Sequence, residues 1–139
     1  MGDASLSGLI KAGDEISIDC SGGEIGDRGV LQSSKISINV LGHNFSNKGL
    51  IQAPSGQVKI DVHGLQNPVF VQNGTIDVSG KGGTIEILAS KFLNPGKILA
   101  DGSGHIGITS LEAYIEPRSA LISAKDGGTI FCQAGPDAR

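Results

Sequence analysis

The chain reads as all-β, a right-handed parallel β-helix (β-solenoid) of about six rungs with three short strands per rung, and three observations carry that reading. The first is the aliphatic composition. Among 139 residues there are seventeen isoleucines and seven valines, against five aromatic side chains and no tryptophan. Stiff β-branched side chains fit a pleated surface better than a helix. The second is glycine, which occurs 22 times and is the residue that close turns require. The third is an internal repeat. A unit of small residue, any residue, aliphatic, any residue, small or aliphatic starts at Gly8, Gly29, Gly49, Gly74, Gly96 and Ala120, with spacings of 21, 20, 25, 22 and 24 residues. Such a period marks solenoids and propellers.

Each unit supplies a first short strand, and a second alternating strand follows after a turn. These second strands are Ile16–Cys20, Ile36–Val40, Val58–Val62, Ile85–Ala89, Ile106–Ser110 and Ile130–Ala134. Alternation places their first and third residues on one face. Stacked rungs therefore pile Ile18, Ile38, Ile60, Ile87 and Ile108 into one inward file, which Cys132 continues, while Cys20 takes the next inward slot. Both cysteines are expected to be buried and reduced. At about 4.8 Å per rung they lie about 24 Å apart, beyond disulfide reach.

A third, looser segment carries one bulky residue per copy, Ile25, Phe45, Phe70, Phe92 and Tyr114, which predicts a stacked apolar corner. Asp27, Asn47, Gln72, Asn94 and Arg118 precede the next unit and suit a turn or an amide ladder. The stretch Ser110–Glu116 is too short for a stable helix and ends at Pro117, so it reads as the third face of the fifth rung. One copy cannot bury its own apolar face, so the copies must stack. An antiparallel sandwich is the competing architecture, but it has no need for like residues at like offsets from the same glycine. The expected organisation is a disordered or tag-like segment over 1–7, one β-helix domain over 8–134 and a tail over 135–139.

Composition also excludes functions. Fourteen acidic against eleven basic residues give a formal charge of −3, and no Lys/Arg cluster marks a nucleic-acid or anionic-membrane surface. No apolar run approaches the roughly 20 residues of a membrane helix, and the first residues lack the pattern of a signal peptide. Cys20 and Cys132 make no CxxC, so neither a zinc site nor a redox pair is signalled. Gly102-Ser103-Gly104-His105-Ile106-Gly107 matches GxGxxG but sits at a turn leading into a strand, where a dinucleotide site would need a helix to follow. His43, His63 and His105 fall at turns or outward positions of different rungs, without metal-ligand spacing.

The outward positions of the second strands form two columns. Ser17, Ser37, Lys59, Glu86, Gly107 and Phe131 make one, in which Lys59 and Glu86 are placed to form an exposed ion pair between rungs. Asp19, Asn39, Asp61, Leu88, Thr109 and Gln133 make the other. Asp19, Asn39 and Asp61 on three successive rungs are the one weak candidate for Ca²⁺ or polysaccharide chemistry. Calcium takes six to eight oxygens, so three in a line are an incomplete site. No catalytic residue, cofactor or complete metal site is predicted.

Asn73-Gly74-Thr75-Ile76-Asp77-Val78, Gly82-Gly83-Thr84-Ile85-Glu86-Ile87-Leu88-Ala89 and Leu93-Asn94-Pro95-Gly96-Lys97-Ile98-Leu99-Ala100-Asp101-Gly102 resemble the N-x-G-x-I-x-A, G-G-x-I-x-L-x-A repeat of filamentous haemagglutinin-like exoproteins of bacterial two-partner secretion. The likeness spans residues 8 to 134. It implies a secreted or cell-surface adhesin, a structural protein serving cell adhesion through a stiff shaft, with a host glycan or protein receptor as partner. The alternatives are a cytosolic self-assembling scaffold, favoured by the reduced thiols, and a polysaccharide-active β-helix enzyme. With no polar helix to cover either end, flanking rungs of a longer chain or end-to-end self-association is expected.

Overall fold

The computed structural model describes residues 3–115 and 121–134. In chain order the strands are β1 (Asp3–Leu6), β2 (Leu9–Lys11), β3 (Ile16–Cys20), β4 (Gly22–Ile25), β5 (Val30–Gln32), β6 (Lys35–Leu41), β7 (Phe45–Asn47) and β8 (Leu50–Gln52). They continue with β9 (Gln57–His63), β10 (Val69–Gln72), β11 (Thr75–Asp77), β12 (Thr84–Leu93), β13 (Lys97–Leu99), β14 (His105–Ile115), β15 (Leu121–Ser123) and β16 (Thr129–Ala134). All the strand pairs are parallel, and each strand pairs with its counterpart one rung away. The chain is a β-solenoid of about five complete turns, with β1 preceding the first and β15 and β16 following the last.

One face is the six-stranded sheet β2-β5-β8-β11-β13-β15. A second is formed by β3, β6, β9, the first half of β12, the first half of β14, and β16. A third runs through β1, β4, β7, β10 and the second halves of β12 and β14. In rungs two and three a loop separates the second face from the third. In rungs four and five one long strand turns that corner, with a register irregularity between Ala89 and Lys91. Two expected strands are thereby fused into one in each of these rungs.

The predicted inward file is present in the register, Ile18↔Ile38↔Ile60↔Ile87↔Ile108↔Cys132. On the first face Leu31, Ile51, Ile76 and Ile98 are stacked in register and fully buried. The interior is aliphatic and continuous along the axis. Its third corner is aromatic, with ring centroids 6.0 Å apart for Phe45 and Phe70 and 5.5 Å for Phe70 and Phe92, both tilted pairs. Tilted rings at these distances add to the burial energy.

Beside the rings runs an interior amide ladder. Asn47, Gln72 and Asn94 are fully buried. Asn47 Nδ2 donates to Gln72 Oε1 at 2.8 Å, and Gln72 Nε2 donates to the Gly74 and Lys97 carbonyls at 2.9 and 3.0 Å. The Gly49 and Gly96 amides donate to Asn47 Oδ1 and Asn94 Oδ1. Each buried amide is thus used to tie one rung's corner to itself or to the next, which offsets its desolvation.

The repeat glycines explain why the spacing is kept. The amides of Leu50, Thr75, Lys97 and Leu121 donate to the carbonyls of Gly29, Gly49, Gly74 and Gly96 one rung below. A Cβ on Gly74 would run into the Gly49 carbonyl oxygen and the backbone of Lys48. At Gly49, Gly74 and Gly96 a residue without a side chain lets the corner stack at this height.

Four expectations are corrected. Asp3–Leu6, assigned to a disordered or tag-like segment, form β1 and pair with Gly22–Ile25. Ile25 is not in the aromatic column: Gly23 pairs with Phe45, and Ile25 pairs with Asn47. The cause is a longer first turn, closed by the Gly29 amide on the Gly26 carbonyl and tied to the strand beneath by the Gly26 amide on the Leu6 carbonyl, which moves the strand back two residues relative to the glycine. Asp27 accordingly lies in that turn and is exposed. Cys132 is exposed rather than buried, because no described strand covers β16 on its far side, whereas Cys20 is buried as expected. Lys59 and Glu86 are register partners but are not among the described ion pairs, since fixing two exposed flexible side chains gains little in high dielectric. Tyr114 pairs with Phe92 in the backbone register. Arg118 and the tail over 135–139 lie outside the described residues.

Candidate functional site

The second face carries two outward columns of residues in register. Strand alternation turns its aliphatics inward and leaves polar residues in register outside, and both predicted columns are found intact. One is Ser17↔Ser37↔Lys59↔Glu86↔Gly107↔Phe131 and the other Asp19↔Asn39↔Asp61↔Leu88↔Thr109↔Gln133. Two shallow depressions lie on this face. One of about 360 Å³ is bordered by Lys59, Asp61, Glu86, Leu88, His105 and Thr109, and Gly107 leaves its floor open because it has no side chain. The other, of about 310 Å³, is bordered by Asp19, Ser37, Asn39, Lys59 and Asp61. Lys59 and Asp61 border both, so the two form one polar strip along the rod axis.

The strip carries charges of both signs, hydroxyls and one imidazole at its edge. Asp61 Oδ1 lies 2.5 Å from His63 Nδ1, and this pair is part-buried at the end of β9. His105 Nδ1 contacts Thr129 Oγ1 on the next rung. The pairing of Asp61 with His63 was missed in the sequence, where both were read separately. The signal was available in strand alternation, which places residues two apart on one face.

Asp19, Asn39 and Asp61 are brought into a single column as expected. The surroundings do not make it a cation site. Asn39 between the carboxylates is neutral, Asp61 is engaged by His63, and Lys59 on the adjoining column brings a positive charge to the same depression. Among the described residues no group of three or more His, Cys, Asp or Glu could hold a metal ion. The GxGxxG segment over residues 102–107 is a turn followed by β14, with no helix after it. His43 lies in the turn between β6 and β7.

A second polar cluster, also unread in the sequence, sits at the corner between the first and second faces. Asp101 Oδ1 accepts from Ser123 Oγ at 2.6 Å and from the Lys125 amide at 2.9 Å. The Ser123 hydrogen bond, the Lys125 amide and the Lys125 charge hold the Asp101 carboxyl below its ordinary value of 3.8, against the opposing effect of partial desolvation. This cluster fastens the last rung to the one before it.

Fold and face together define a β-solenoid repeat protein, an apolar tube with one long polar flank. Comparison with protein-family models, curated proteins and solved structures finds no match to this chain. Among the described residues no helix is long and apolar enough to cross a membrane.

Proposed function

We propose that this chain is a non-enzymatic shaft segment of a bacterial secreted or surface protein of the filamentous haemagglutinin-like kind, a stiff rod whose polar flank makes adhesive contact. The observation that carries the reading is the in-register polar strip around Lys59, Asp61 and Glu86 on a rod with a continuous buried apolar core. Stacked rungs resist bending because each adds a full set of parallel hydrogen bonds to its neighbours, and they lengthen by repetition without redesign. The strip offers cation, carboxylate and hydroxyl groups side by side, which suits a hydroxyl-rich glycan or a mixed-charge protein patch.

The test is binding of a panel of neutral and acidic glycans to the surface-immobilised chain. Binding by the unmodified chain is expected to weaken at least about tenfold in a Lys59→Ala/Glu86→Ala double variant, with an unchanged strand-type circular dichroism spectrum. Absence of binding by the unmodified chain counts against adhesion. Cleavage of a polysaccharide that Asp61→Ala abolishes would replace the reading with an enzymatic one.

A further inference from the structure

We infer that Gly107 is the floor of a sugar-binding socket, and that the socket takes one pyranose ring of a neutral, equatorially hydroxylated glycan, stacked against Phe131. The inference rests on the adhesive reading of this flank and narrows it to one place and one class of ligand.

Gly107 is a glycine that the fold does not need. It lies inside the first half of β14, paired with Glu86 on one side and with Phe131 on the other. Glycine weakens a strand interior, and where it occurs there it marks a bulge, a tight bend or a surface that something else approaches closely. Bulge and bend are both absent here. The register runs from Thr84↔His105 to Ala89↔Ser110, and from His105↔Thr129 to Ser110↔Ala134, without a shift, and Gly107 is not among the glycines with positive φ. Sterics do not demand it either. A Cβ on Gly107 would have His105 Nε2 as its nearest neighbour at 3.5 Å, an ordinary contact, whereas on Gly74 it would strike rigid backbone. The same outward slot holds Ser17, Ser37, Lys59, Glu86 and Phe131 in the other rungs. What glycine adds at this slot is an opening in the polar flank.

The opening is furnished for a sugar. From the strand spacing and rise, Glu86 and Phe131 stand about 10 Å apart across the glycine, and His105 and Thr109 about 13 Å apart along its strand. The depression measures about 360 Å³, at the lower end of the range for small-ligand sites. Phe131, 57% exposed, offers a ring whose negative face attracts C–H groups. It does not cover the glycine, since none of its atoms comes within 4 Å of the position a Cβ would take. Glu86 borders the depression with a carboxylate and Thr109 with a hydroxyl. His105 is already oriented: its Nδ1 contacts Thr129 Oγ1, and its Nε2 lies beside the glycine. An aromatic wall with hydrogen-bonding groups around the remaining sides matches a ring that is C–H on its faces and O–H at its edge. Charge selects a neutral one. An anionic sugar would meet Glu86 and Asp61, and a cation would meet Lys59, all on the border of the same depression. A ring with equatorial hydroxyls lies flattest on a peptide floor, because an axial hydroxyl would hold it off.

The experiment is a titration of the 139-residue chain with cellotriose, followed by amide chemical shifts. Saturable shifts with a Kd of about 1 mM are expected at Glu86, Gly107 and Phe131, and none at Leu31 and Ile76 on the first face. Gly107→Val is expected to weaken binding at least about tenfold while keeping or raising the urea midpoint, because valine suits a strand better than glycine. A lowered midpoint would show that the glycine serves the fold, and overturns the inference. Phe131→Ala, at an exposed position, is expected to weaken binding by a similar factor with the midpoint unchanged, and Phe131→Tyr, which keeps the ring, to retain it. Absence of saturable shifts up to about 20 mM cellotriose overturns the inference. The two readings fail separately. Shifts centred on Asp19 and Asn39, or panel glycans whose binding Gly107→Val leaves untouched, remove the socket while adhesion by the flank stands; a panel in which no glycan binds removes both.

Discussion

Ile76 and Ile10 hold the same slot of the repeat, the middle of a three-residue strand on the first face, yet Ile76 is fully buried and Ile10 is 38% exposed. Gly74 and Gly8 differ in the same way. A side chain on Gly74 would strike the backbone of the rung below, whereas nothing lies within 4 Å of the position it would occupy on Gly8. The residue types are alike, so burial and steric demand here are conferred by the neighbouring rung and not by the unit itself. Stability in such a rod is a property of interfaces between rungs, and among the described strands β11 is paired on both sides where β2 is paired on one.

Gly74→Ala against Gly8→Ala is the sharpest way to break that contrast. The first is expected to cost about 4 kcal/mol, since only rigid backbone is available to yield, and the second to stay within about 0.5 kcal/mol, both by urea denaturation. Equal costs would sink the claim that the ladder of glycines is steric. Ile76→Ala should destabilise by about 3 kcal/mol and Ile10→Ala by under about 1 kcal/mol, again by denaturation midpoint. Smaller and of opposite sign is Ser33→Ala. The Ser33 hydroxyl is buried with no partner among the described residues, in a corner position that Ala12, Ala53 and Ala100 occupy in other rungs. Removing it should stabilise by about 1 kcal/mol and raise the melting temperature.

The smallest effect is confined to the last rung. The Asp101 carboxyl is held below 3.8 in the folded chain, so its contribution is fully present above that pH and is lost as the pH falls through the lowered folded value. Amide exchange at Ser123 and Lys125, corrected for intrinsic rate, should therefore accelerate in acid while that of Ile51 and Ile76 does not. Asp101→Asn should remove the pH dependence.

The central rungs were legible in the letters for a physical reason. A period of two is unforgiving, because a one-residue slip would turn Ile36, Ile38 and Val40 to solvent and Ser37 and Asn39 into the core. The register of Ile38, Ile60, Ile87 and Ile108 therefore followed from composition and alternation alone. The glycine anchors gave the rung length. What stayed hidden was set by geometry that no short window encodes. The first turn uses Gly26 through Gly29 to take up two residues, which displaced Ile25 from the aromatic column. The strand β1 lacks a repeat glycine and a β-branched run, and among the described strands it pairs with β4. The Asp61–His63 and Asp101–Ser123 contacts depend on where a strand ends and how a corner closes. Of the candidate strip, the columns were readable, while the opening left by Gly107 required the face to be assembled first.

The corner after β9 spends five residues, Gly64 to Pro68, where the corresponding corner of the previous rung spends three, and the strands on either side keep their partners. Asn67 adopts a left-handed conformation there with φ of 52°, and its amide closes the turn on the Gly64 carbonyl at 3.2 Å, leaving Leu65 fully in solvent. Length at that bend is decoupled from the winding of the tube. A foreign epitope spliced between Leu65 and Gln66 would consequently stand proud of the rod as a displayed tag, at a known height along the axis and with the scaffold beneath it unchanged.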